Sequence, residues 1–233
     1  HMMEIVNFGG LESFSNLKHL LLKTGVVCLR GTNSLTVAQF SEYANELGKL
    51  LVTERHTLND ARTVQELSNT GLFNNADVPW HNDWSYGRGK YFGTMLYNVH
   101  NAHLSPTVFA DMGNVPDDLL EQYKDCVGNY YPATQFQDSC FTERQLSLIK
   151  KQAISRPFVF THHVTGQTVL YCSPATLQDC ECDIQPIIDW ADANSYVHEW
   201  QDGDILIWDN IRMMHKRYQF EGQRLLWRSQ FVI

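Results

Sequence analysis

From residue 91 onward the chain is written largely in short runs rich in β-branched and aromatic residues, each closed by a turn. The runs are "YFGTMLYNV" (91–99), "TVFADM" (107–112), "FVFTHHVTGQTVLYCS" (158–173), "YVHEW" (196–200), "DILIWDN" (204–210) and "RLLWRSQFVI" (224–233). Such runs read as strands, and Thr165-Gly166 marks a hairpin turn inside the third. Helices lie mainly towards the front. "LKHLLLKTG" (17–25) ends on Gly25, the usual residue for a left-handed C-terminal cap. "LTVAQFSEYANELGKLL" (35–51) spaces Phe40, Tyr43, Ala44, Leu47 and Leu50 along one helical face. Between these two, "GVVCLRG" (25–31) is a short buried strand bounded by glycines. Three shorter helices are expected at 114–125, with Asn114 as cap, at 142–153, with Thr142 and Gln145 at capping-box spacing, and at 183–194. Residues 53 to 79 are polar and irregular, which predicts a long loop or lid. The pattern predicts an α+β domain on a β-sandwich or jelly roll. It lacks the strand–helix alternation of a parallel nucleotide-binding sheet, and neither G-x-G-x-x-G nor a P-loop is present.

Composition narrows the partners. The 233 residues, 43% of them hydrophobic, suit one domain with a full core, spanning 1–233. The formal charge is 18 − 26 = −8 with no basic block, which argues against nucleic acid. No apolar run reaches membrane-span length, and no signal-peptide pattern opens the chain. The opening "HM" reads as a cloning scar, so His1 is set aside. Six cysteines (Cys28, Cys126, Cys140, Cys172, Cys180 and Cys182) are expected as reduced thiols of a cytoplasmic protein. Cys180 and Cys182 form a C-x-C with no second pair, which is not a zinc site.

The stretch "VPWHNDWSYG" (78–87) carries the chemistry. On an extended segment His81 and Asp83 point one way, while Trp80, Asn82 and Trp84 point the other and anchor it. One imidazole and one carboxylate on a single face are two parts of a 2-His-1-carboxylate triad, which binds Fe(II) and leaves open positions. In "GDILIWDNIRMMHKR" (203–217), a strand between two turns delivers His215 as the third ligand. The other histidines make weaker ligands. His162 and His163 are adjacent and should point apart. His100 and His103 lack a nearby acid, and His198 sits beside Glu199. In the last run Arg224, Leu226, Arg228 and Gln230 share one face, opposite Leu225, Trp227, Ser229 and Phe231. Two arginines on one face suit a dicarboxylate, because a guanidinium grips a carboxylate at two points.

These pieces resemble the Fe(II)/2-oxoglutarate-dependent oxygenases of the taurine dioxygenase and 2,4-dichlorophenoxyacetate dioxygenase type, with their clavaminate synthase-like members. The resemblance rests on "WHNDWSY" (80–86), "SPTVFADM" (105–112), "RPFVFTHHVTGQTVLY" (156–171) and "GDILIWDNIRMMHKRYQFEGQRLLWRSQ" (203–230), in the family order. It implies a double-stranded β-helix, a jelly-roll variant, with flanking helices. It also implies Fe(II) held by His81, Asp83 and His215, with 2-oxoglutarate as cosubstrate and O2 as oxidant. Arg224 would hold the distal carboxylate of 2-oxoglutarate, and Thr107 would hydrogen-bond it. Arg228 would face the cosubstrate or an anionic substrate, and Asn98 would support the site. Before Thr107 the family usually has Gly-Gly-Asp, whereas this chain has Leu104, Ser105 and Pro106.

The activity so implied is oxidation of an unactivated C–H bond of a small anionic or zwitterionic molecule, with release of succinate and CO2. Hydroxylation is the default outcome, and desaturation, cyclisation and epoxidation are the alternatives. Asp83 argues against halogenation, because halogenating relatives leave that position without a carboxylate. Two other classes compete: a cupin-like zinc or metal hydrolase or isomerase, and a binding module that has kept the fold. In the loop before the motif, Arg55, His56, Asn59, Arg62, Asn74 and Asn75 could meet substrate. Trp84, Tyr86 and Trp208 read as core or pocket wall, and Asp204, Asp209 and Asn210 as turn formers.

Overall fold

The computed structural model describes residues 3–233 apart from 54, 71–74, 88–91, 132–142 and 152. Five α-helices and fifteen strands are assigned among the described residues. In chain order they are β1 (Glu4–Asn7), α1 (Leu17–Thr24), β2 (Val26–Arg30), α2 (Val37–Leu47), β3 (Gln65–Ser68), β4 (Val78–His81), β5 (Phe92–His100) and β6 (Thr107–Asp111). Then come α3 (Asp117–Tyr123), β7 (Val127–Tyr130), α4 (Glu143–Lys151), β8 (Ile154–Pro157), β9 (Val159–Thr161), β10 (Thr168–Leu170), β11 (Leu177–Asp179) and α5 (Gln185–Ala193). The chain ends with β12 (Tyr196–His198), β13 (Ile205–Asp209), β14 (Met213–Arg217) and β15 (Leu225–Val232).

Two sheets frame the molecule. One runs β1-β2-β13-β5-β15-β3 and the other β12-β6-β14-β4. Pairing is antiparallel except between β1 and β2. Side-chain alternation builds three apolar layers from these strands. Val27, Leu29, Ile205 and Ile207 point outward to meet Leu21 of α1 and Phe40, Ala44 and Leu47 of α2. Their neighbours Val26, Cys28, Leu206 and Trp208 point inward, where they meet Phe109 and Met213 of the second sheet. Val108, Ala110 and Met214 on the far face of that sheet pack against Leu119, Tyr123, Ile187 and Ala191 of α3 and α5. The protein is therefore a mixed α and β structure with mostly antiparallel sheets.

Local signals explain the front helices. Gly25 caps α1 at φ 82°, and Thr36 and Gln39 form a reciprocal capping box on α2. That helix stops at Leu47, so Leu50 leaves its face and pairs as an isolated bridge with Phe231. The hairpin is β9–β10, with Gly166 at φ 71°.

Other expectations need correction. The supposed loop 53–79 contains β3, an edge strand on β15, because Val64 and Gln65 are buried there. Helix α3 starts at Asp117, and Asn114 closes a backbone turn onto Asp111 instead of capping. His162 and His163 do not point apart: they lie in the hairpin turn, and their rings stack at 5.4 Å. Cys126 and Cys182 form a disulfide, so the reading of all six cysteines as reduced thiols fails at these two. Cys28, Cys172 and Cys180 are free. The capping box expected at Thr142 and Gln145 needs Thr142, which like Asn74 and Cys140 lies outside the described residues. No helix among the described residues is long and apolar enough to cross a membrane.

Candidate active site

The register of β14 on β4 sets His215 directly opposite His81. Cross-strand partners share a face and stand close, and the two imidazole centroids are 4.1 Å apart. The register slips between His215 and Arg217, next to Pro79. Proline has no N–H to give the ladder, and a bulge accommodates it. The freed Pro79 carbonyl then accepts from His81 Nδ1 at 2.8 Å. In the neutral ring that bond places the one proton on Nδ1 and turns the Nε2 lone pair into the site.

Asp83 completes the cluster. Its Oδ1 lies 3.3 Å from His81 Nε2 and 3.4 Å from His215 Nε2. One ligand atom from each of the three residues lies within 4.8 Å of the others. Strand alternation is not what brings Asp83 here, because β4 ends at His81. A clamp from the "DN" turn after β13 does so. Asn210 accepts from Asp83 N at 3.0 Å and donates to Asp83 O at 2.8 Å. Buried Asn82 donates in turn to the Asn210 and Met213 carbonyls. Asn210 is thus more than a turn former. Trp80 anchors the segment as expected, at 3% exposure. Trp84 does not, being 41% exposed and held at φ 56°.

Asp83 Oδ2 faces β15, where Gln230 Nε2 is 3.5 Å away and an Arg228 nitrogen 3.7 Å. Burial works against the Asp83 carboxylate. The nearby His215 charge, hydrogen bonds from His215 and His81, and Arg228 overcome it, and Asp83 is held well below the ordinary carboxylate range. Burial and the neighbouring His81 push His215 down, towards the neutral form a metal needs. The donor set is two nitrogens and one oxygen, the facial pattern of non-haem iron.

A second cluster lies beside it. Arg224 is 7% exposed, and among the described residues its guanidinium donates only to neutral carbonyls, those of Ala102 and Ser105. Among the described residues no carboxylate pairs with it. Burial, and then the charge of Arg217, push its pKa down to about 9. A buried cation in that state attracts an anion. Thr107 is buried at the start of β6, and its Oγ accepts from Trp200 Nε1 at 3.0 Å. The unusual Leu-Ser-Pro turn before it is secured by Ser105, whose hydroxyl donates to the Tyr218 carbonyl. Asn98 is committed to backbone, donating to Gln201 O and accepting from Ala102 N. It shapes the turn that receives Arg224. Arg228 donates twice to Gln65 Oε1 on β3, at 3.2 and 2.6 Å.

Several of these residues were missed in sequence. Gln65 and Arg217 reach the site through pairings set by register, Trp200 through its indole bond to Thr107 from the segment after β12, and nothing local marks them. Asp209 and Asp204 do more than form turns: Asp209 accepts from buried His162, and Asp204 from Arg30. His198 is also buried, 3.2 Å from Asp204. Of the loop residues, Asn59 and Asn75 spend their side chains holding the chain itself. Trp208 is buried wall behind His215, with ring centroids 4.9 Å apart.

A family model described as taurine catabolism dioxygenase TauD, TfdA family matches residues 6–230. The chain belongs to that family. It is accordingly a 2-oxoglutarate-dependent dioxygenase, an oxidoreductase that uses a metal and O2. Among curated proteins, 3-((Z)-2-isocyanoethenyl)-1H-indole synthase of Fischerella ambigua (strain UTEX 1903) is 24% identical over 245 residues, covering 94% of this chain and 86% of the relative. A taurine dioxygenase from Burkholderia xenovorans superposes with TM-score 0.78 at 17% identity, covering all of this chain and 86% of that one. AAD-2, solved with Mn(II) and N-oxalylglycine, gives TM-score 0.77 at 19% identity over 95% of its chain. The two structural likenesses show that this chain shares their mixed α and β fold.

Proposed function

We propose that His81, Asp83 and His215 hold Fe(II), that Arg224 and Thr107 hold the distal carboxylate of 2-oxoglutarate, and that the enzyme oxidises a C–H bond of a small anionic or zwitterionic molecule. The observation that carries this is the pairing of a three-donor cluster with a buried guanidinium that, among the described residues, is bonded only to neutral carbonyls. Zinc hydrolysis gives Arg224 no purpose, and a binding module has no need of three converging donors. The two facing sheets are those of a double-stranded β-helix, with 1–233 as one domain. When bound, Fe(II) with 2-oxoglutarate and O2 supplies the oxidising power, and succinate and CO2 leave.

The protein's own residues do the positioning. Pro79 fixes the His81 tautomer, and Asn210 fixes Asp83. Gln230 and Arg228 occupy the side of Asp83 turned away from the histidines. Arg228, beside the metal cluster and braced by Gln65, is placed to meet an acid group on the substrate. Hydroxylation is the default outcome. Alkene formation is a second reading with its own support, since the F. ambigua relative is named for a product bearing an ethenyl group.

The test is aerobic turnover with Fe(II) and 2-oxoglutarate against a panel of amino acids, sulfonates and N-substituted amino acids. Succinate should form in step with substrate loss. Product mass then decides the outcome: a gained oxygen marks hydroxylation, and two lost hydrogens mark desaturation. Turnover that proceeds without 2-oxoglutarate would overturn the proposal.

A further inference from the structure

Arg217 was absent from the sequence-derived site, yet its backbone position is informative. It lies two residues after His215 on β14, and the antiparallel register sets it directly opposite Thr107 on β6. His215 is likewise opposite Phe109, and their rings approach to 6.2 Å across the inner face of the sheet. Alternation puts Thr107 and Arg217 on that same inner face, with Cβ atoms about 5 Å apart as for any directly opposed pair. Arg224 comes to the same place from the other sheet. The Phe220 ring carries both cations, with the Arg217 guanidinium carbon 5.1 Å and the Arg224 guanidinium carbon 5.7 Å from its centroid. Arg217 also donates to the Ala76 carbonyl at 2.8 Å.

Two guanidiniums on one buried ring repel each other. Asp77 is an acid that acts on Arg217, and its carboxylate also accepts from Gln219 N. An anion seated between the two cations relieves the repulsion. The step of two residues from His215 to Arg217 spans about 7 Å. That is close to the reach of a five-carbon dicarboxylate whose keto-acid end is at the metal.

We infer that Arg217 is a second cationic grip on the distal carboxylate of the cosubstrate, acting with Arg224 and Thr107. This rests on the proposed cosubstrate site and adds a residue to it. Arg217 does not touch the reacting atoms. It selects oxo acids that carry a second carboxylate, and it holds the chelating end in register with the metal.

Calorimetric titration of the Mn(II)-loaded protein reads this without turnover. The probes are 2-oxoglutarate and oxalate, which chelates metal but has no distal arm. Arg217→Met should weaken 2-oxoglutarate binding by about tenfold or more, Arg217→Lys by less, and both should leave oxalate affinity unchanged. Equal weakening of the two probes, or no weakening of either, would overturn the inference. Circular dichroism melting of the unliganded variants separates a binding defect from a folding one. If Arg217→Met does not fold, the Arg217→Lys ratio of the two affinities decides. Wild-type protein that binds oxalate but not 2-oxoglutarate would instead remove the cosubstrate reading itself.

Discussion

At the residue scale the convergence of His81, Asp83 and His215 was legible because its signals are local. His81 and Asp83 are two apart, and the turn-strand-turn before His215 announces a side chain delivered to a fixed place. The reason Asp83 converges was not legible. Alternation predicted it, but the Asn210 side chain, bonded to the Asp83 backbone, achieves it, and that contact spans 127 residues. Removing the clamp therefore tests how Asp83 is held. Asn210→Ala should fold and should weaken Fe(II) affinity about 10- to 100-fold, the usual cost of losing a partner that orients a ligand. Metal titration against a competing chelator measures it. Asp83→Ala should abolish tight binding outright. Gln65 and Arg217 illustrate the limit of local reading. Each is an ordinary polar residue in sequence, and each gains its place only when strands far apart in the chain pair.

At the element scale the strands and the front helices were legible from periodicity and caps, because α1 and α2 carry their own termination signals. β3 was not, since its four residues are polar apart from Leu67 and become a strand only by pairing with β15. The central β5–β15 pair makes a sharper demand. Gly93 sits opposite Phe231, and the Phe231 ring covers the space a Cβ would take. Gly93→Ala should therefore destabilise the fold by about 1–3 kcal/mol through overpacking. Thermal melting should show a lower Tm, and metal affinity measured below the transition should be retained.

At the scale of the whole molecule, the layered arrangement follows from alternation in strands that are apolar on both faces. β2 and β13 are buried throughout or nearly so and divide their residues between two cores. Composition alone could not foresee the Cys126–Cys182 disulfide, because pairing depends on bringing the end of α3 beside the segment before α5. Stability should also depend on acid in a definite way. Burial of Asp204 is outweighed by hydrogen bonds from His198 and Arg30, and its pKa is lowered from 3.8 to about 2. Between those values the unfolded chain binds a proton that the folded one does not. The stabilisation is therefore complete above about pH 4 and is lost as pH falls towards 2, amounting to about 2 kcal/mol. Asp204→Asn should be less stable at neutral pH and lose less on acidification. Denaturant melts at several pH values would show it, and parallel curves for the two proteins would refute it.

The central claim is that one cluster binds iron while a buried arginine beside it binds the cosubstrate. Anaerobic titration of the purified protein with Fe(II) and then 2-oxoglutarate tests it most directly, through the weak visible charge-transfer band of the chelate. The account predicts a band in the wild type, none in Asp83→Ala, and a shift to much higher 2-oxoglutarate concentration in Arg224→Ala. Bound metal with no band, or a band unchanged in both variants, would contradict it.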